Sequence, residues 1–455
     1  MSNEGLRRLS RRQVLGTGAA AGLAAPLAGL GLRPAAADDK SGPRAADTNQ
    51  SSHRQAVSFL QQVTDAHRTS GMRLAQSYDD PRVSDIGFIY DNALTAIALM
   101  ANGDVPRARA IADALLYAQN HDDTFTDGRL RQAYHAGSFV NGDAKKTAHF
   151  AWEIGLTGTA VGDMSWTGLA LTHLARRTRE PAYREGAVRI GQWIFDRTYS
   201  TSGLGGYTFG ETAGLEEHKS TEHNIDVYAL FLLLASLTGD SVWKTRAEHA
   251  KAFVNAMWNS TDGFFWTGSD EGSSINKKST QLPLDVQTWY WMGIGDPAYA
   301  RSLDWAATNL ATTDTPMRPN SALTGNYSVS GVGFSSGTFR TDVTQNVGGH
   351  AWTYKPDDSA VWFEGTAQLA LALRLRGGQD DRAAAERLLT SLRSAQSTLG
   401  RGQFFNGKRT TGGIVAASSP MDTGFGFDYA PNLHIGATAW YVFAVTGFNP
   451  YRFLY

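Results

Sequence analysis

Three stretches of this chain place carboxyl side chains where they could act on a substrate. In Lys219-Ser220-Thr221-Glu222-His223-Asn224-Ile225-Asp226, Glu222 and Asp226 lie four residues apart and would project from one helical face. In Val361-Trp362-Phe363-Glu364-Gly365-Thr366-Ala367-Gln368, Glu364 sits between large aromatics and small apolar residues, surroundings that desolvate a carboxyl and raise its pKa. The third is Leu284-Asp285-Val286-Gln287-Thr288-Trp289. One protonated and one ionised carboxyl are what hydrolysis of a glycosidic bond requires. The bland alternative is helix capping, since carboxylates satisfy free N–H groups and oppose the helix dipole. Capping accounts less easily for Glu364, whose flanks are unusually apolar. The expected pair is therefore Glu222 as acid and Glu364 as base, with Asp226 and Asp285 as substitutes.

Aromatic and polar residues near these acids supply the expected substrate contacts: His223, Asp163, Trp166, Tyr207, Trp289, Trp352, Trp362 and Asp91. Aromatics beside hydrogen-bonding groups suit the flat faces of sugar rings, although a large core uses the same residues. His223-Asn224 could instead neutralise a uronate, as in a polysaccharide lyase. His223 with His350 or His434 could serve an epimerase, and a glycan-binding protein without turnover would need none of the acids. No HExxH or Cys/His spacing points to a metal, and Asp122, Asp123 and Asp127 are too sparse for an EF-hand. Gly333-Phe334-Ser335-Ser336-Gly337 matches a serine-nucleophile pattern but has no strand before it and no helical pattern after it. No cofactor is expected.

The elements that must hold these residues follow from recurring turns at Gly103-Asp104, Arg179-Glu180-Pro181, Gly239-Asp240, Gly295-Asp296, Gly377 to Asp380, and Gly447 to Pro450. They recur at roughly 69-residue intervals, about twice a two-helix solenoid repeat. Gly suits the left-handed residue that ends a helix, and Asp suits the cap of the next. Before each turn lies a stretch apolar on nearly every face, such as Ala229 to Leu234, Leu369 to Leu373 and Ala439 to Val445. Such helices are buried all round. After each turn the pattern is amphipathic, as in Trp243, Ala247, Ala250, Val254 and Met257. Inner helices should start near Asp91, Asp163, Glu222, Asp285, Glu364 and Ile435. The sixth turn has no outer helix after it, so the segment with Ala56, Phe59, Leu60, Val63 and Ala66 on one face should complete the ring.

This alternation resembles the six-hairpin glycosidase-like superfamily over about residues 53–455. The resemblance implies an all-α (α/α)6 toroid of six inner and six outer helices. It also implies a glycosidase with Glu or Asp at the mouth, usually acting with inversion. The links into the inner helices are long, at 121–162, 199–221, 259–282, 311–361 and 398–433, and gather on one face, where long loops usually carry function. The link 311–361, rich in Gly, Ser and Thr, is the expected place for a small hairpin. An open solenoid fits less well, because the repeats vary in length and lack capping units.

Ser10-Arg11-Arg12-Gln13-Val14-Leu15, followed by an Ala/Gly/Leu run ending at Ala35-Ala36-Ala37, reads as a twin-arginine signal over 1–37. Residues 38–52 read as a disordered spacer, and 53–455 as the catalytic toroid. The expected location is periplasmic or extracellular, with no stable membrane association once the signal is cleaved. The chain has no cysteine, so neither a disulfide framework nor a catalytic thiol is available. A net charge of −1 gives no footprint for nucleic acid. The expectation is a monomeric hydrolase of a neutral glucan-type poly- or oligosaccharide.

Overall fold

The computed structural model describes residues 49–67, 71–270, 274–278, 281–337, 340–347, 350–400, 404–405 and 408–453. The signal over 1–37 and most of the spacer lie outside the described residues. Helix α1 (Asn49–Thr64) begins inside the stretch read as spacer, ahead of the His53 boundary. Its polar start is held by tertiary contacts that no local pattern reveals: Ser52 is buried, 2.6 Å from the Tyr441 hydroxyl and hydrogen-bonded to Gln396.

Eleven helices follow among the described residues: α2 (Ile89–Ala101), α3 (Val105–Asn120), α4 (Val161–Thr178), α5 (Pro181–Thr198), α6 (Thr221–Thr238), α7 (Val242–Ala256), α8 (Leu284–Gly293), α9 (Arg301–Asn309), α10 (Phe363–Arg376), α11 (Gln379–Thr398) and α12 (Ile435–Thr446). Even-numbered helices pack in succession, α2 on α4, α4 on α6, α6 on α8, α8 on α10 and α10 on α12. Contact of α12 with α2 closes the ring. Each odd-numbered helix packs outside an even one, and α1 lies against α12 as the missing sixth outer helix. The chain is thus an (α/α)6 toroid.

Local chemistry explains the hairpins. Gly239, Gly377 and Gly447 end α6, α10 and α12 with φ of 75°, 81° and 74°, the left-handed conformation that costs a residue without Cβ little. Arg179 adopts it at the end of α4 with φ 61°, just before the Pro181 that starts α5. The inner helices bury nearly every residue; in α12 all of Ile435 to Ala444 are buried. Burying one large apolar side chain contributes about 1.5–3 kcal/mol, so this inner wall is the main source of stability. Among the described residues no helix is long and apolar enough to cross a membrane.

The mouth is stitched by short antiparallel pairings, each joining the entrance of one inner helix to the loop leading into the next. Ile86–Phe88 pairs with Ala133–His135, Thr159–Ala160 with Gly210–Glu211, and Lys219–Ser220 with Gly268–Ser269. Pro283 bridges Ser335, Trp362 bridges Ala417, and Tyr78 bridges His434 to close the circuit. Side-chain amides near the helix starts reinforce it. Asn92, Asn224 and Gln287 each bond both the N–H and the C=O of one loop residue, Ala75, Tyr207 and Phe265 respectively. The link 311–361 carries the expected hairpin, Val343–Val347 with His350–Tyr354, and a second pair, Ala311–Asp314 with Val329–Val332.

Candidate active site

The first turns of the inner helices converge on a cavity of about 440 Å³ lined by Tyr90, Asp163, Trp166, Glu222, His223, Asp285, Trp289, Phe334, Trp362, Glu364 and Tyr429. Four carboxyl groups from four different inner helices share it. The helix starts deliver them here because every entrance lies on the same face of the ring.

Glu222 does not cap α6. Ser220 does, its Oγ accepting the His223 amide, so the Glu222 side chain is left for the cavity. Among the described residues no group hydrogen-bonds its carboxyl. Burial, followed by the charges of Asp285, Asp226, Asp163 and Glu364, holds its pKa well above the usual carboxylate range. These surroundings favour the protonated form of the group over that of an ordinary carboxylate.

Glu364 is held by one oxygen. Its Oε1 accepts the Tyr90 hydroxyl at 2.6 Å and the Gln368 amide at 3.2 Å, while Trp440 Nε1 donates to the Tyr90 oxygen at 2.9 Å. Among the described residues its Oε2 has no hydrogen-bond partner, and it lies 3.7 Å from His434 Nδ1. Burial raises the pKa to about 7; Asp91 and Asp285 push the same way, against His434 and the Tyr90 bond. Gly365 is required beside it, since a Cβ there would stand 2.2 Å from the Trp362 ring and 2.5 Å from Leu284.

Asp285 fits the capping expectation in part, because its Oδ1 accepts the Val286 amide at 2.6 Å. It still lines the cavity, and burial raises it to about 7. Asp163 accepts from Gln132 at 3.1 Å and is likewise raised to about 7 by burial. His223 lies against Gly162, where a Cβ would sit 2.6 Å from its ring. Its Nδ1 is unpartnered, and burial lowers its pKa to about 3, so the ring is neutral.

Four expected site residues lie elsewhere. Asp226 is below the cavity, bound by the Tyr451 hydroxyl at 2.7 Å. Asp91 is behind it, accepting His434 Nε2 at 3.0 Å. Tyr207 is buried against α7, its hydroxyl on the Arg246 carbonyl at 3.1 Å. Trp352 lies on the hairpin, its ring 4.8 Å from the Arg82 guanidinium. Loop aromatics serve the core as readily as a ligand, and these two do. The cavity also uses Tyr429 and, beyond what sequence reasoning selected, Tyr90 and Phe334. Phe334 belongs to the Gly333–Gly337 motif, whose Ser335 simply donates to the Thr423 carbonyl at 2.8 Å.

No known family description matches the chain, and no curated protein matches it in sequence. Solved structures do match it in shape. A glycosidase variant in complex with glucose superposes with a TM-score of 0.56 at 13% identity, covering 88% of this chain and 98% of that one. An alpha-mannanase of glycoside hydrolase family 76 from Bacteroides thetaiotaomicron gives 0.50 at 12% identity, covering 89% and 96%. A D-mannose isomerase gives 0.54 at 10% identity, covering 89% and 99%. The chain therefore shares the (α/α)6 toroid fold of these solved structures. At these identities the likeness speaks for the fold, and the chemistry must come from the cavity.

Proposed function

We propose that this protein is a glycoside hydrolase acting on a neutral glycan with inversion, Glu222 serving as general acid and Glu364 as general base. The observation that carries it is one cavity shared by a carboxyl on α6 without a hydrogen-bond partner among the described residues and a carboxyl tethered by a single oxygen on α10. Helix α8 separates those two helices in the ring, an arrangement suited to a sugar and a water between the two groups. Glu222 gives its proton to the glycosidic oxygen as the bond to the anomeric carbon breaks. Glu364, with Oε1 fixed by Tyr90 and Gln368, takes a proton on Oε2 from the water that attacks the opposite face. The fold shared with glycosidases supports this reading.

Two rivals fit the side chains less well. Lyase chemistry would need Asn224 to neutralise a uronate, but both ends of its amide are committed to the Tyr207 backbone. Four carboxyl groups in the cavity also disfavour an acidic glycan. An isomerase or epimerase reading, suggested by the mannose isomerase likeness, would need His434 as a second acid–base group. Its Nε2 is bound to Asp91 and its Nδ1 accepts the Ala437 amide. The deciding experiment is a screen of neutral α- and β-glucans and mannans with reducing-sugar detection, the anomer of the product being followed by NMR. Unsaturated uronate products, or aldose–ketose interconversion without hydrolysis, would overturn the reading.

A further inference from the structure

The acidic cavity does not run through the ring. Its floor is an aromatic cluster, with Trp166 and Trp289 centroids 5.4 Å apart and Trp166 and Trp440 5.7 Å, both edge-to-face, and Trp289 stacked on Trp440 at 5.9 Å. Tyr451 packs against Trp166 at 5.0 Å from the far side. Tyr451 belongs to the tail after α12, which crosses the opposite end of the ring. Asn449 Nδ2 donates to the Met292 carbonyl at 2.9 Å, Arg452 Nη2 to the Gly293 carbonyl at 2.8 Å, and His173 Nε2 lies 2.8 Å from the Pro450 carbonyl. The Tyr451 hydroxyl on Asp226 anchors the tail in the axis. A glycan chain cannot thread this plug.

On the open side lies a second cavity of about 640 Å³ that shares Glu222, Asp285 and Phe334 with the first. Its walls include Phe425 and Phe427, whose ring centroids are 5.8 and 5.5 Å from that of Phe334. Ser269 also lines it and carries a buried hydroxyl without a partner among the described residues. The outer cavity meets the inner one at Glu222, which lines both.

We propose that the enzyme removes single sugars from the non-reducing end of its glycan, the terminal unit filling the blind inner cavity and the departing chain lying on Phe425 and Phe427. This rests on the hydrolase reading. A glycosidic oxygen between the two cavities lies at Glu222, which lines both. Glu364, which activates the water, lines the inner cavity and not the outer one, so the attacked anomeric carbon belongs to the enclosed unit and the reducing-end direction points outward. Water adds its oxygen to that carbon, the carbon–oxygen bond to the chain breaks, and the departing oxygen keeps the proton from Glu222.

The test uses the full chain on linear α- and β-linked gluco- and manno-oligosaccharides of two to six units, tagged with 2-aminobenzamide at the reducing end. The expected products are untagged monosaccharide from the first turnovers and a tagged ladder shortened one unit at a time. Early untagged oligosaccharides, or a tagged monosaccharide as first product from chains of three or more units, would overturn the proposal while leaving a hydrolase. Failure to cleave any oligosaccharide or any glucosyl or mannosyl fluoride would overturn the hydrolase reading itself. Phe425→Ala should reduce the preference for an oligosaccharide over the corresponding glycosyl fluoride, as a ratio of kcat/KM, by about tenfold, the scale of one lost aromatic stack. An unchanged ratio would remove the departing chain from that wall.

Discussion

Carboxylates of the outer layer and carboxylates of the mouth are treated in opposite ways. Near the outer surface, Asp65 pairs with Arg73 and Arg107, Asp127 with Arg129, and Asp381 with Arg376. Partial burial pushes Asp127 up, but Arg129 and the Trp193 N–H outweigh it and bring its pKa to about 2. At the mouth, Asp163, Asp285 and Glu364 meet no arginine or lysine among the described residues, and burial brings each to about 7. A chain that has 42 Lys and Arg could have neutralised these acids as it did the outer ones. Leaving them unpaired costs stability and keeps protons available, the trade expected of groups that must give and take them.

The sharpest way to break that contrast is to remove the proton-carrying capacity and keep the shape. Glu222→Gln and Glu364→Gln should each lower turnover by about 10² to 10⁴-fold, the usual contribution of general acid–base assistance. If both variants retain near-normal kcat on a substrate the parent cleaves, the mouth acids are not the catalysts. Next in size is His434→Asn. It removes the ring 3.7 Å from Glu364 Oε2 and leaves Asp91 without its partner. Turnover should fall on the order of 10 to 100-fold, the scale of a misplaced reacting group. The acid limb of the pH–rate profile should move upward, since His434 is among the influences that hold Glu364 down. A fall in activity with an unmoved limb would reduce His434 to a packing role.

Stability offers a finer test. Between about pH 4 and 7 the folded mouth holds protons that the unfolded chain has released, so these acids make stability fall as pH rises through that window. His173 and His223, lowered by burial to about 4 and about 3, act oppositely below pH 6.5, where only the unfolded chain takes up their protons. Three such acids outweigh two histidines above about pH 4.5, so the melting temperature should peak near about pH 4–5 and fall from there toward pH 7. Glu364→Gln should raise it at pH 8 by about 2–4 °C and leave it unchanged at pH 4. Calorimetry showing a lower Tm for this variant at pH 8 would contradict the account of an unpaired, costly carboxyl. The smallest effect belongs to the outer layer. Asp127→Asn should cost no more than about 1 kcal/mol at pH 7, because the pair is partly exposed, with a deficit that vanishes as pH falls through about 2.

What the sequence determined by itself was local. Turns such as those at Gly239 and Gly377, all-apolar runs such as Leu369 to Leu373, and the inner-helix starts are written within a few residues of where they act. Glu222, Glu364, Asp163 and Asp285 were legible for the same reason, since a carboxyl at the entrance of a buried helix is unusual wherever the ring places it. Depth was not legible. Asp226 shares a face with Glu222, yet four residues are about 6 Å along a helix axis, enough to put it beneath the aromatic floor in the grip of Tyr451. Tyr451 follows the last turn and carries no repeat signal. Phe334 and Tyr429 reach the cavity only because their loops are pinned at Pro283–Ser335 and Trp362–Ala417. Tyr207 and Trp352 show the converse, as the same loop aromatics can face either core or ligand. Closure of the ring decided which residues share the cavity, because α2 and α12, separated by most of the chain, become neighbours only once all six hairpins have packed.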